Sequence, residues 1–125
     1  MRLRPIVGYV RRVVKESGYR KANVNVVFLN SRTMRKMNRE YLSHDYGTDV
    51  ISFCLERKDT LEGEIYINLD KARQQAKEYS VTFTNEVARL VIHGALHLVG
   101  YDDKGKKKAA VMKNKEEKQL AYWFS

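Results

Sequence analysis

Apolar positions change spacing several times along this chain, and each change marks an element. Ile6, Val7, Val10, Val13 and Val14 recur at helical spacing. Pro5 suits a first helical turn and Ser17-Gly18 a stop, so residues 5–17 read as a helix. Residues 22–29 alternate, with Val24, Val26 and Phe28 on one side, which predicts a strand. Ser31 reads as the N-cap of a helix through Met34, Met37 and Tyr41. His44-Asp45-Tyr46-Gly47 reads as a loop, residues 48–54 as an apolar strand, and the charged stretch Glu56–Glu62 as another loop. Glu64–Asn68 alternates again and is a further strand. Asp70 is the expected cap of a helix from Lys71 to about Tyr79, and Thr84 of one from Asn85 to about Leu98. A final helix spans Lys107 to Trp123, its Leu120, Tyr122, Trp123 and Phe124 packing against the domain. With no internal repeat and no linker, residues 1–125 form one small α+β domain, a mixed sheet of about four strands covered by helices.

One segment, Glu86–Asp103, carries more than a fold signal. On a helical wheel its apolar and small residues, from Val87 to Val99, cover an arc of roughly 240°. Such a helix is buried and central. The remaining strip holds Glu86, Arg89, His93 and His97. His93 and His97, four residues apart, stack one turn above the other, an arrangement able to bind one transition metal. Gly100 can take the left-handed conformation that ends a helix. A chain folding back there brings Asp103 toward the same ion. The pattern His-x3-His-x2-Gly-x2-Asp supplies two nitrogens and one oxygen. It leaves a fourth tetrahedral position for water, as catalytic zinc sites do. The plainer reading is two polar residues on the exposed strip of a buried helix; the glycine turn and the third ligand favour the metal. The spacing is similar to that of metzincin peptidases, which place a glutamate base directly after the first histidine. Here that position is Gly94, which transfers no proton, so a metallopeptidase is disfavoured.

Composition narrows the setting. The chain has 125 residues, enough for one domain, and its 43% hydrophobic content excludes disorder. No apolar run reaches the roughly 18 residues of a membrane helix, so no membrane partner is expected. No signal-peptide core follows the basic N-terminus. The single Cys54 can form no intrachain disulfide, so a cytoplasmic location is expected. Lys and Arg number 24 against 15 Asp and Glu, a net +9 that suggests a polyanionic partner, most simply nucleic acid. A solubilising surface charge is the other explanation. Lys104, Lys106, Lys107 and Lys108 follow Asp103 directly and would lie at the mouth of the metal site. Arg32, Arg35, Lys36 and Arg39 form a second cluster, read equally as a solvated helix face. Phosphate contacts by such groups make binding salt-dependent. Tyr101 beside the site is a candidate to stack on a base, or else a core or cap residue.

At His93-Gly-Ala-Leu-His-Leu-Val-Gly-Tyr-Asp102 the sequence resembles the YbeY family, bacterial metal-dependent endoribonucleases linked to 16S ribosomal RNA maturation. Met37-Asn38 through Tyr41, Asp45, Thr48-Asp49-Val50-Ile51-Ser52-Phe53 and Gly63-Glu64-Ile65-Tyr66-Ile67 resemble further family segments in the same order. The likeness implies a small sheet covered by helices, with the metal in a basic cleft. It implies one Zn2+, or another divalent transition metal such as Ni2+, on His93, His97 and Asp103. It implies a single-strand-specific endoribonuclease acting in 16S rRNA 3'-end maturation and ribosome quality control. Partners would be ribosomal RNA, ribosomal proteins or the small ribosomal subunit. Lys104, Lys106, Lys107 and Arg39 are the candidates for RNA contact. Asp49 and Ser52, in the strand the family places beside the cleft, are candidates to orient water or substrate, or simply end a buried strand. His44 reads as a proton carrier or a solvated loop residue, and Cys54 as a soft ligand or a small core residue. Three positions depart from the family pattern. The usual third histidine is Asp103, an arginine after the Asn-x-x-Tyr tyrosine is Leu42, and a proline after Ser-Phe is Cys54. A non-catalytic, metal-stabilised RNA-binding or ribosome-binding module is the alternative to the enzyme.

Overall fold

The computed structural model describes residues 3–41 and 48–124. His44, Asp45 and Leu42, singled out above, lie outside the described residues. The order is α1 (Leu3–Glu16), β1 (Lys21–Leu29), α2 (Ser31–Tyr41), β2 (Val50–Arg57), β3 (Thr60–Asn68), α3 (Leu69–Glu78), α4 (Phe83–Leu98) and α5 (Lys106–Phe124). Among the described residues the sheet has three strands, in the order β1-β3-β2, rather than about four. β1 pairs parallel with β3, and β2 pairs antiparallel with it, so the sheet is mixed as expected.

The stretch Glu56–Glu62, expected as a loop, is instead the tip of a β-hairpin. β2 runs on to Arg57 and β3 starts at Thr60, with a register shift between Cys54 and Glu56. Its charges hid the strands because only one face is buried there: Leu61 is fully buried while Glu62 is exposed. The sheet face that carries Val24, Val26 and Phe28 of β1 with Leu61, Ile65 and Ile67 of β3 meets the helices. α4 lies across this face and packs on α1, α3, α5, β2 and β3. Its Leu90, Val91, Ile92 and Ala95 are inaccessible to solvent.

Three helix caps fall earlier than the pattern suggested. The Asn30 side chain, not Ser31, accepts from Thr33 N at 2.8 Å. Asn68, not Asp70, caps α3 by accepting from Lys71 N at 3.1 Å. Thr82, not Thr84, caps α4 by accepting from Asn85 N at 3.0 Å. Each site offers two capping residues within a few positions, and propensity alone does not choose between them. Asp70 is used elsewhere: its carboxylate accepts from Ser31 N at 2.8 Å and ties α2 to α3.

α5 closes the structure against α1 and α4. Trp123 meets Tyr9 edge-on at 5.0 Å, Arg12 lies 3.5 Å from the Tyr122 ring centroid, and Gln119 Nε2 donates to Glu16 at 2.6 Å. Trp123 and Leu120 pack on the core as expected, and Tyr122 and Phe124 remain about half exposed beside them. This docking turns Met112, Glu116 and Gln119 inward toward α4 and α1.

Candidate metal centre

The last two turns of α4 place His93 and His97 on one side, their ring centroids 4.8 Å apart at 73°. Gly100 ends the helix at φ +110°, a conformation costly for any residue with a Cβ. Gly100 N donates to His97 O at 3.1 Å and Tyr101 N to Leu96 O at 3.0 Å, the crossed pair of a Schellman turn. The reversal returns Asp103 to the histidines, with Oδ2 3.8 Å from His93 Nε2. One donor atom from each of His93, His97 and Asp103 lies within 4.8 Å of the others. The sequence-predicted trio therefore converges, and two imidazoles with one carboxylate suit a divalent transition metal.

The neighbouring aspartate is otherwise engaged. Asp102 accepts from Lys104 N at 3.0 Å and meets Lys108 Nζ at 3.5 Å. These contacts, the Lys104 backbone first, hold its carboxyl below the usual range. Only Asp103 is turned to the histidines.

The trio opens into a cleft of about 440 Å³ whose other walls are Thr48, Asp49, Val50, Ser52, Cys54, Arg57 and Leu98. Asp49, just before β2, and Ser52, on it, thus both line the cleft. Ser52 Oγ donates to Gly94 O at 2.9 Å, so its proton is committed to the helix backbone. Cys54 is exposed on the wall, not a core residue, because β2 leaves the helix cover at this point. The rim at Thr48-Asp49 is pinned by buried Asn68, which donates from Nδ2 to Thr48 O at 3.1 Å and from its backbone N to Asp49 O at 2.9 Å. Lys104, Lys106, Lys107 and Lys108 are exposed just beyond Asp103. Arg32, Arg35, Lys36 and Arg39 are exposed on α2 and do not line the cleft. Tyr101 is half-buried against the core, with Lys115 Nζ 5.9 Å from its ring.

Behind the histidines the strip expected on the helix surface is a covered polar seam. Glu86 is 1% exposed. It accepts from Gln75 at 2.6 Å and from Arg89 twice, at 2.8 and 2.7 Å. This pairing, chiefly the Glu86 hydrogen bonds, holds the Arg89 guanidinium protonated even more firmly than usual. Arg89 also meets Glu116 of α5 at 3.4 Å and Asp49 at 4.0 Å. Glu116 Oε2 in turn lies 2.6 Å from His93 Nδ1. Three carboxylates, Glu86, Asp49 and Glu116, thus surround the Arg89 guanidinium, a local net of two negative charges in a chain of net +9, and Asp103 adds a further carboxylate on the other side of His93. Such an excess favours a bound cation. Burial pushes the His97 imidazole below its ordinary pKa, and nearby His93 adds to this while Asp103 opposes it. The ring is therefore neutral, as ligation requires, at neutral pH. Glu116, Asn68 and Arg57 were not singled out by the sequence. Only the 3.6-residue spacing of Met112, Glu116 and Gln119 hints that Glu116 faces inward.

A family model described as Endoribonuclease YbeY matches residues 4–123. Proteins named Endoribonuclease YbeY from Chlorobium chlorochromatii and Chloroherpeton thalassium are 41% and 44% identical to this chain. The matches cover 89% and 81% of it, and 71% and 72% of those proteins. One of the same name from Bacteroides thetaiotaomicron is 35% identical over 90% of this chain and 82% of its own. A solution structure from Thermotoga maritima superposes with a TM-score of 0.66 at 28% identity, covering 97% of this chain and 83% of that one. The matched span takes in the sheet, the α4 histidines and the turn that bears Asp103, and the chain belongs to the endoribonuclease YbeY family, a family of RNA-cleaving hydrolases.

Proposed function

We propose that this chain is a metal-dependent endoribonuclease whose ion is held by His93, His97 and Asp103. The convergence of those three donors in an open cleft carries the reading. Zn2+ is the ion the donor set suits, with Ni2+ as the alternative. When bound there, it supplies Lewis-acid polarisation of a phosphoryl oxygen and lowers the pKa of a bound water toward about 7. The protein's own side chains do the rest. Arg57 on the cleft wall and Lys104, Lys106 and Lys107 beyond Asp103 hold the phosphate backbone, with Arg39 a more distant contact. Asp49, fixed at the rim by Asn68 and facing Arg89, orients substrate or water opposite the histidines. Ser52 positions Gly94 and thereby the α4 register.

The RNA taken is single-stranded ribosomal RNA, and the role is 16S rRNA 3'-end maturation and ribosome quality control in the cytoplasm, on or near the small ribosomal subunit. Support for this finer assignment is family membership and the net +9 charge. No described helix is long and apolar enough to cross a membrane. A non-catalytic RNA-binding module is the second reading, favoured by the commitment of the Ser52 hydroxyl to Gly94 O.

The test compares wild type with His97→Ala, purified side by side, on a ribosomal RNA fragment with a single-stranded tail. Chelator-sensitive cleavage by wild type alone supports the enzyme. Equal cleavage by both proteins, or salt-dependent binding with no cleavage, refutes the catalytic reading.

A further inference from the structure

We propose that Glu116 is a positioning residue of the metal centre: from α5 it fixes the tautomer and ring orientation of His93. Its Oε2 lies 2.6 Å from His93 Nδ1, a distance at which a carboxylate accepts a hydrogen bond. An imidazole that donates from Nδ1 leaves the lone pair of Nε2 for the ion, and Nε2 is the atom that faces Asp103 at 3.8 Å. The carboxylate is itself held. Glu116 is 7% exposed, and Arg89 reaches its other oxygen at 3.4 Å while forking onto Glu86.

Two features make this more than an incidental contact. Glu116 comes from a different helix, 23 residues along the chain, and its place depends on the docking of α5 by Met112, Gln119 and Trp123. His97 has no hydrogen-bonded partner of this kind among the described residues, so the two ligands are unequal. His93 is set before an ion arrives, and His97 is oriented by packing and by the ion. The inference rests on the proposed metal role of His93, but its first measurement does not.

That measurement is long-range 1H–15N NMR of the histidine rings in metal-free protein at about pH 8, above the ordinary histidine range. The expected result is His93 protonated on Nδ1 in wild type and shifted toward the Nε2–H form in Glu116→Ala. The second measurement is Zn2+ affinity by competition with a chromophoric chelator. Glu116→Ala is expected to weaken it about 10-fold to 100-fold. Glu116→Gln, whose amide oxygen still accepts from Nδ1–H, recovers most of the loss. If Glu116→Ala does not fold, Glu116→Met fills the same volume without an acceptor and takes its place; Arg89 stays paired through Glu86. An Nε2–H tautomer for His93 in wild type overturns the proposal. So does Zn2+ affinity in the Ala or Met variant within about twofold of wild type. Wild type that binds no Zn2+ overturns the metal reading instead, and the tautomer result stands apart from it.

Discussion

Gly94 of α4 is pressed so closely onto Ile65 of β3 that a Cβ there would stand 2.6 Å from Ile65 Cγ2. It would also meet Ser52 Oγ at 3.1 Å and Val50 Cγ2 at 3.3 Å. This is the position where metzincin peptidases carry their glutamate base, and here no side chain fits. The helix approaches the sheet closely enough for Ser52 to bond the Gly94 carbonyl, and that approach brings both histidines to the strand wall.

Two effects oppose each other in Gly94→Ala. Helix propensity favours alanine by about 1 kcal/mol. Overpacking a full core costs about 1–3 kcal/mol, and Ile65 is fully buried with little room to yield. The expected outcome is a net loss of up to about 2 kcal/mol in urea unfolding. A stabilised variant would show that the helix can lift off the sheet.

Asp102 and Asp103 are adjacent but used differently, and substitution separates them. Asp103→Ala is expected to weaken Zn2+ binding by more than about tenfold, because a direct ligand matters more than an outer partner. Asp103→His keeps a donor and is expected to retain binding with a three-nitrogen set. Asp102→Ala removes contacts to Lys104 N and Lys108 only, and affinity should hold within about threefold, since the exposed Lys108 pair contributes little. Chelator competition on the three variants gives the comparison. Equal losses at both aspartates would mean that the turn, not the ligand, is being read.

The convergence of His93, His97 and Asp103 was legible because it is local. A two-turn helix segment and a glycine reversal fix three donors within eleven residues, with no tertiary information needed. Glu116 was not legible, since its contact with His93 depends on how α5 settles on α1 and α4. The Arg57–Thr60 hairpin was hidden for a related reason: a strand whose outer face is charged carries half a pattern. The misplaced caps at Asp70 and Thr84 show the opposite limit, where two local solutions compete and packing selects one.

Acid should destabilise the metal-free protein through His97. Its folded pKa is depressed, first by burial and then by His93. Unfolding therefore takes up a proton as pH falls through the ordinary value of about 6.5, and stability drops from there until the folded pKa is passed. At higher pH both states are neutral and the effect vanishes. Urea unfolding of stripped wild type and His97→Asn, from about pH 7.5 down to about pH 5, isolates this contribution. The expected outcome is a shallower loss in the variant. Identical slopes would mean that His97 has the same pKa folded and unfolded.

Arg57 supplies a cation to the cleft in a chain whose Leu42 replaces the arginine of the family pattern. It ends β2, lines the cleft with both histidines and Asp103, and sits beside Gly100, its Nη1 3.5 Å from where a side chain there would begin. Among the described residues it makes no ion pair, so its charge is available to a phosphate. Arg57→Ala should raise KM for a single-stranded RNA substrate and leave Zn2+ content unchanged. One lost phosphate contact lowers the slope of log affinity against log salt by about 0.7 for a single strand. Arg57→Lys should restore that slope but only part of the affinity, because a point charge replaces a two-pronged donor. An unchanged salt slope in Arg57→Ala would remove Arg57 from the RNA path and leave the lysines after Asp103 as the principal contacts.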